Sequence, residues 1–145
     1  FMGEHFLQSG EAASRTDITI PKNQVRLLEK ICDVNDNVSL VLFTGRPLAL
    51  TDICDKVKSI LEVWMPGTMG AAAIWDVLTG KYAPSGKLPM SFPYNVGQVP
   101  IHYDILQTGR PLTPEDAGER FVSKYLIFAV IYTVFLSVHV FIANI

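Results

Sequence analysis

Between Pro21 and Leu78 the apolar positions change period repeatedly, and each change marks an element. From Lys22 to Cys32, the residues Val25, Leu28, Ile31 and Cys32 recur at helical spacing, which predicts an amphipathic helix. Asn35-Asp36-Asn37 is a turn cluster. Val38 to Phe43 is an almost unbroken apolar run. It predicts a strand covered on both faces in a parallel sheet, ending at Thr44-Gly45-Arg46-Pro47. Thr51 or Asp52 can cap a short helix expected to run through Lys58. Ser59 to Trp64 reads as a second buried strand interrupted by one carboxylate, Glu62, with Met65-Pro66-Gly67-Thr68 as its exit turn. Met69 to Leu78 again has helical period: Gly70, Ala71, Ala72 and Ala73 allow close approach to a sheet, while Ile74, Val77 and Leu78 pack. Gly80 ends that helix. Prolines make Lys87 to Pro93 an edge strand at best, and Phe1-Met2-Gly3 looks like the end of a strand.

This alternation predicts an α/β fold, a three-layer α/β/α sandwich with a mostly parallel sheet. Two strong strands are few for a covered sheet, so the domain is expected to be incomplete, with further units upstream. A chain of 145 residues suffices for one domain with a sizeable core. The net charge of -2 gives no electrostatic support to a nucleic-acid partner or an anionic membrane surface, and small molecules remain open. Cys32 and Cys54 lack metal-type spacing and lie beside apolar patterns. They are expected to be buried free thiols, a disulfide being allowed but not implied, and the redox compartment stays undecided. His5, His102 and His139 are scattered, so no metal site is expected, and no phosphate loop or dinucleotide fingerprint points to a cofactor. No signal-peptide pattern opens the chain.

Candidate chemistry concentrates between Ser9 and Pro21. Glu11 stands among small residues that would let a bulky ligand approach, and Arg15 and Asp17 can pair or hydrogen-bond locally to fix the loop. General acid/base groups are set in this way, although an exposed loop glutamate has the same appearance. Arg46 follows the carboxyl end of a predicted strand, where ligand-facing loops lie in parallel sheets. It is read either as an edge of the site or as a structural arginine tying down its loop. His102 reads as a packed or surface histidine.

Six motifs then fall in one order: Gly3-Glu4, Gly10 to Ile18 (GEAASRTDI), Gly45-Arg46-Pro47-Leu48, Trp64 to Thr68 (WMPGT), Pro84 to Pro93 (PSGKLPMSFP) and Val96 to Pro100 (VGQVP). Together they resemble the C-terminal α/β-sandwich domain of glycoside hydrolase family 3, over residues 1–125, with bacterial β-glucosidases and β-xylosidases as the nearest kind. The resemblance implies a retaining glycosidase in which a (β/α)8 barrel supplies an aspartate nucleophile and this domain carries the acid/base loop. It places the acid/base on Glu11, with Glu4 as an alternative carboxylate expected to be structural. It also implies a terminal β-linked sugar or oligosaccharide substrate, no cofactor, and a periplasmic or secreted location. The nucleophile is not in this chain: Asp76, after Trp75, lies on the small-residue helix rather than in the family's nucleophile motif. The chain alone is therefore expected to be inactive. The alternative is a non-catalytic α/β module that contacts carbohydrate or is purely structural.

Past Pro100 the pattern thins. Thr108 to Lys124 reads as a long loop with a possible helical turn at Thr113-Pro114-Glu115-Asp116, and Arg120 to Tyr125 still resembles the family. Residues 126–145, Leu126 to Ile145, form an uncharged apolar tail that does not match the family. Its length would satisfy a membrane span. A shifted reading frame or artificial end is the preferred reading, with self-association through the tail as a further hypothesis.

Overall fold

The apolar run Ser39–Phe43 (β2) forms the centre of a parallel sheet, flanked by Met2–Gly3 (β1) and Ser59–Glu62 (β3) in the order β1-β2-β3. The computed structural model describes residues 1–102. Met2 pairs with Leu42, and Leu40 with Ile60, so the three strands run in register. Leu40, Val41 and Leu42 are all buried on this central strand, as a sheet covered on both faces requires. Alternation puts Leu40 and Leu42 on one face, where they join Met2, Ile60, Leu48 and Ile53 in the principal core. This is the predicted α/β class with a parallel sheet.

Helix α1 spans Lys22–Cys32, the predicted range. Leu28 is its buried anchor, with Val25 and Cys32 packed against the core. Ile31, expected on the same stripe, is 40% exposed. At helical pitch Val25 and Cys32 rotate about 40–60° to one side of Leu28, and Ile31 about 60° to the other, off the core face.

Helix α2 spans Gly70–Leu78. Only Gly70 and Ile74, one turn apart, are buried. Ala71, Ala72 and Ala73 are exposed and Leu78 is 40% exposed, contrary to the expected close packing along that row. The buried face is one residue wide, and the alanines lie beside it. Gly80, at φ 74°, follows the helix as its predicted stop.

Three further expectations are corrected. The short helix from Thr51 to Lys58 is a turn followed by a 3-10 segment, Cys54–Lys56, because the Thr51 hydroxyl donates to the Tyr94 carbonyl at 2.9 Å instead of capping. The strand expected through Trp64 stops at Glu62, since Trp64 takes a left-handed conformation at φ 51°. Lys87 to Pro93 forms no strand. Its Phe92 enters the core instead, with its ring 5.9 Å from that of Trp64.

The expectations for Thr108 to Lys124 and for Leu126 to Ile145 lie outside the described residues. Among the described residues no helix is long and apolar enough to cross a membrane.

Candidate functional site

A parallel sheet brings the carboxyl ends of its strands to one edge, and here each end carries polar chemistry. Glu4 follows β1, Thr44-Gly45-Arg46 follows β2, and Glu62 closes β3. Glu4 is the pivot. Its side chain is fully buried, Arg15 Nη1 lies 3.0 Å from Oε1, and Arg46 Nε lies 3.2 Å from the same oxygen. The Gly45 amide donates to Oε2 at 3.3 Å. Both oxygens are thus engaged, the condition under which a buried carboxylate is tolerated.

Arg46 does more than neutralise Glu4. Its Nη2 donates to the Ala13 carbonyl at 2.9 Å and also to the Gln8 carbonyl. Arg46 thus anchors a loop other than its own, the one that bears Glu11. Arg15 reaches back to Glu4 rather than pairing with Asp17. Asp17 instead accepts from the Thr19 amide at 3.0 Å and hydroxyl at 2.6 Å, and these bonds hold its carboxyl below the usual range.

Between those anchors the chain turns sharply. The 3-10 segment Phe6–Gln8 is closed by a reciprocal cap, in which Gln8 Oε1 accepts from the His5 amide and His5 Nδ1 from the Leu7 amide. Gly10 at φ 98° and Ala12 at φ 58° flank Glu11, which is exposed with no hydrogen bond or ion pair to the described residues. The loop therefore presents one unengaged carboxylate at its tip above a buried, doubly paired one.

Glu62 is a second feature of this edge. Oε1 accepts from the Trp64 amide at 2.8 Å and the Thr44 hydroxyl at 3.1 Å, while Oε2 is sealed from solvent without a partner. Burial pushes the Glu62 carboxyl up to about 7; the two hydrogen bonds oppose this and the Glu4 charge adds to it. The sequence marked Glu62 only as an interruption of a strand. Gln24 was missed altogether: its side-chain amide bonds both the amide of Gly3 at 2.9 Å and its carbonyl at 3.0 Å, fixing β1 to the first turn of α1. A polar residue on the inner side of an amphipathic helix was its only signal.

The remaining candidates lie apart. A cleft of about 490 Å3 opens beside Arg46 and Pro47, with Met90, Pro100 and His102 on its other walls, and Glu11 does not line it. Asp76 pairs with Lys81 at 3.0 Å. Cys32 and Cys54 are not joined in a disulfide and are partly exposed rather than buried as expected; Cys32 Sγ bonds the Lys56 carbonyl at 3.3 Å. Among the described residues no three His, Cys, Asp or Glu side chains converge as a metal site.

This arrangement has known counterparts. The family model for the glycosyl hydrolase family 3 C-terminal domain matches residues 1–128. The chain is 48% identical over 124 residues to a periplasmic β-glucosidase of Salmonella typhimurium, covering 86% of this chain and 16% of that protein. It is 39% identical over 102 residues to a β-xylosidase of Formosa agariphila, covering 70% of this chain and 14% of that one. Among solved structures, the β-glucosidase of Listeria innocua superposes with a TM-score of 0.74 at 42% identity, over 88% of this chain and 18% of its own. The chain thus spans less than a fifth of the length of these relatives. Matched by the family model over most of its length, this chain belongs to the C-terminal domain family of glycosyl hydrolase family 3.

Proposed function

We propose that this domain supplies the general acid/base of a retaining β-glycosidase, with Glu11 as the carboxylate that acts. A nucleophilic carboxylate on a separate barrel domain attacks the anomeric carbon, and the carbon–oxygen bond to the leaving group breaks as Glu11 donates its proton to that oxygen. Glu11, now a carboxylate, then takes a proton from the water that attacks the glycosyl ester and restores the nucleophile. The scheme calls for two carboxylates and no cofactor.

One observation carries the choice of Glu11. Of the three carboxylates in the family motifs here, Glu4 is buried with both oxygens occupied and Asp17 is engaged by Thr19, while Glu11 stands exposed at the tip of an anchored loop. A proton donor has to reach a leaving oxygen, and Glu11 is the one left unengaged to do so. The likeness to β-glucosidases and a β-xylosidase, one of them solved with glucose bound, supports a terminal β-linked sugar as substrate. The likeness to the Salmonella protein supports a periplasmic location.

The test uses a hybrid in which residues 1–125 of this chain replace the matching segment of the Listeria innocua β-glucosidase. Glu11→Gln should lower kcat/KM, which reports formation of the glycosyl intermediate, by about 10²–10⁴-fold on β-glucosides with poor leaving groups, which need a proton, and far less on dinitrophenyl β-glucoside, which does not. Equal loss on both substrates, or no loss, would exclude Glu11 from the role.

A further inference from the structure

Arg46 is where the charge cluster and the loop meet. Its guanidinium spends Nε on Glu4 and Nη2 on the carbonyls of Gln8 and Ala13, so one planar group holds both stems of the loop against the sheet edge. Glu4 in turn is also held by Arg15, which belongs to the same loop after its turn. Within the loop the Ala13 amide donates to the Gly10 carbonyl at 3.4 Å, across a strained residue. Ala12 sits at φ 58°, a left-handed conformation costing roughly 1–2 kcal/mol for an L-residue, and such a residue persists where its surroundings over-determine it. Here the fixed ends do so. With the two carboxyl groups of a retaining enzyme about 5–5.5 Å apart, the acid tolerates a displacement of only about 0.5 Å.

We propose that Arg46 is the positioning residue for Glu11, setting the acid/base carboxylate by bridging the Gln8 and Ala13 carbonyls from a guanidinium locked to buried Glu4. This rests on the reading of Glu11 as the acid/base. Arg46 itself touches no reacting atom. Lysine at this position would keep the charge beside Glu4, yet its single ammonium lacks the planar fork that spans three acceptors.

Two measurements test it. In the intact 145-residue chain, backbone order parameters from ¹⁵N relaxation at Gly10 to Ala13 should fall from about 0.85 to below about 0.6 in Arg46→Lys, with the amide shifts of β2 unchanged as the control for folding. Order parameters that stay high in the loop overturn the proposal. In the hybrid, Arg46→Lys should lower kcat/KM about 10–100-fold on a poor-leaving-group β-glucoside and leave kcat/KM for dinitrophenyl β-glucoside within about threefold. Loss of equal size on both substrates would mean a merely structural arginine and would overturn the proposal. Glu11→Gln in the same hybrid separates the two failures. If it shows no leaving-group dependence the acid/base reading falls, whereas if Glu11→Gln shows it and Arg46→Lys does not, only the positioning role falls.

Discussion

Replacing Glu62 by glutamine isolates the energetic consequence of putting a carboxyl group at the closed end of β3. Its ordinary value of 4.5 is raised to about 7, mainly by burial. At about 1.4 kcal/mol for each tenfold change in proton affinity, that rise is worth roughly 3 kcal/mol, and solvent around the half-buried side chain trims it to about 1–3 kcal/mol. The sign follows from linkage. Below pH 4.5 Glu62 is protonated whether the chain is folded or not, and its contribution is fully present. Between 4.5 and about 7 the unfolded chain releases the proton while the folded one retains it, so stability falls, and above about 7 the loss is complete. Glutamine is neutral throughout and keeps an oxygen for the Trp64 amide and the Thr44 hydroxyl. Urea unfolding of both proteins at about pH 5 and about pH 8 reads the difference. Glu62→Gln should match the wild type within about 1 kcal/mol at the lower pH and exceed it by about 1–3 kcal/mol at the higher. Equal stabilities at both, or a variant weaker at the higher pH, would mean that burial does not hold a proton on Glu62.

Other outcomes follow from the same geometry. A Cβ on Gly3, which has φ 148°, would lie 1.8 Å from the Phe43 carbonyl oxygen, so Gly3→Ala should destabilise the chain by roughly 2 kcal/mol or more in urea unfolding. Gly45→Ala places a Cβ 1.8 Å from Ser9 Oγ and should displace the Glu11 loop, seen as amide shift changes at Ser9 to Ala13 with the β3 shifts retained. Asp17 has a lowered carboxyl value, so whatever its bonds to Thr19 contribute is present at neutral pH and lost as pH falls through that lowered value. Asp17→Asn should therefore reduce the acid sensitivity of the loop, read as the pH dependence of the Thr19 amide shift. The 145-residue chain by itself should not hydrolyse aryl β-glycosides, and turnover above that of its Glu11→Gln variant would contradict the two-carboxylate scheme.

What the sequence made legible was whatever depends on local period. The stripe of Val25, Leu28, Ile31 and Cys32 located α1, although Ile31 is 40% exposed, and the continuous run Val38 to Phe43 located a strand buried on both faces. What it could not supply depends on the fold closing. Arg15 stands two residues from Asp17, and local pairing was a fair expectation, but its partner Glu4 becomes available only once β1 docks on β2. The bonds from Arg46 to Gln8 and Ala13 span more than thirty positions and leave no mark on spacing. Trp64 continued an apolar run and read as strand, yet its backbone turns left-handed so that its amide meets the Glu62 carboxylate. Ala71 to Ala73 fit a packing pattern and face solvent, since a small side chain satisfies either environment. The candidate site was legible as motifs in order; that Glu4 is buried and paired while Glu11 is left exposed required knowing which carboxylate the arginines take.

Trapping the glycosyl intermediate distinguishes Glu11 as the acid/base from any other carboxylate. In the Glu11→Gln hybrid, the intermediate formed from dinitrophenyl β-glucoside has no base to activate water, whereas azide attacks without one. Azide should accelerate turnover, and β-glucosyl azide with retained configuration should be the product. Turnover unaffected by azide, with glucose as the sole product at an undiminished rate, would contradict the assignment of Glu11.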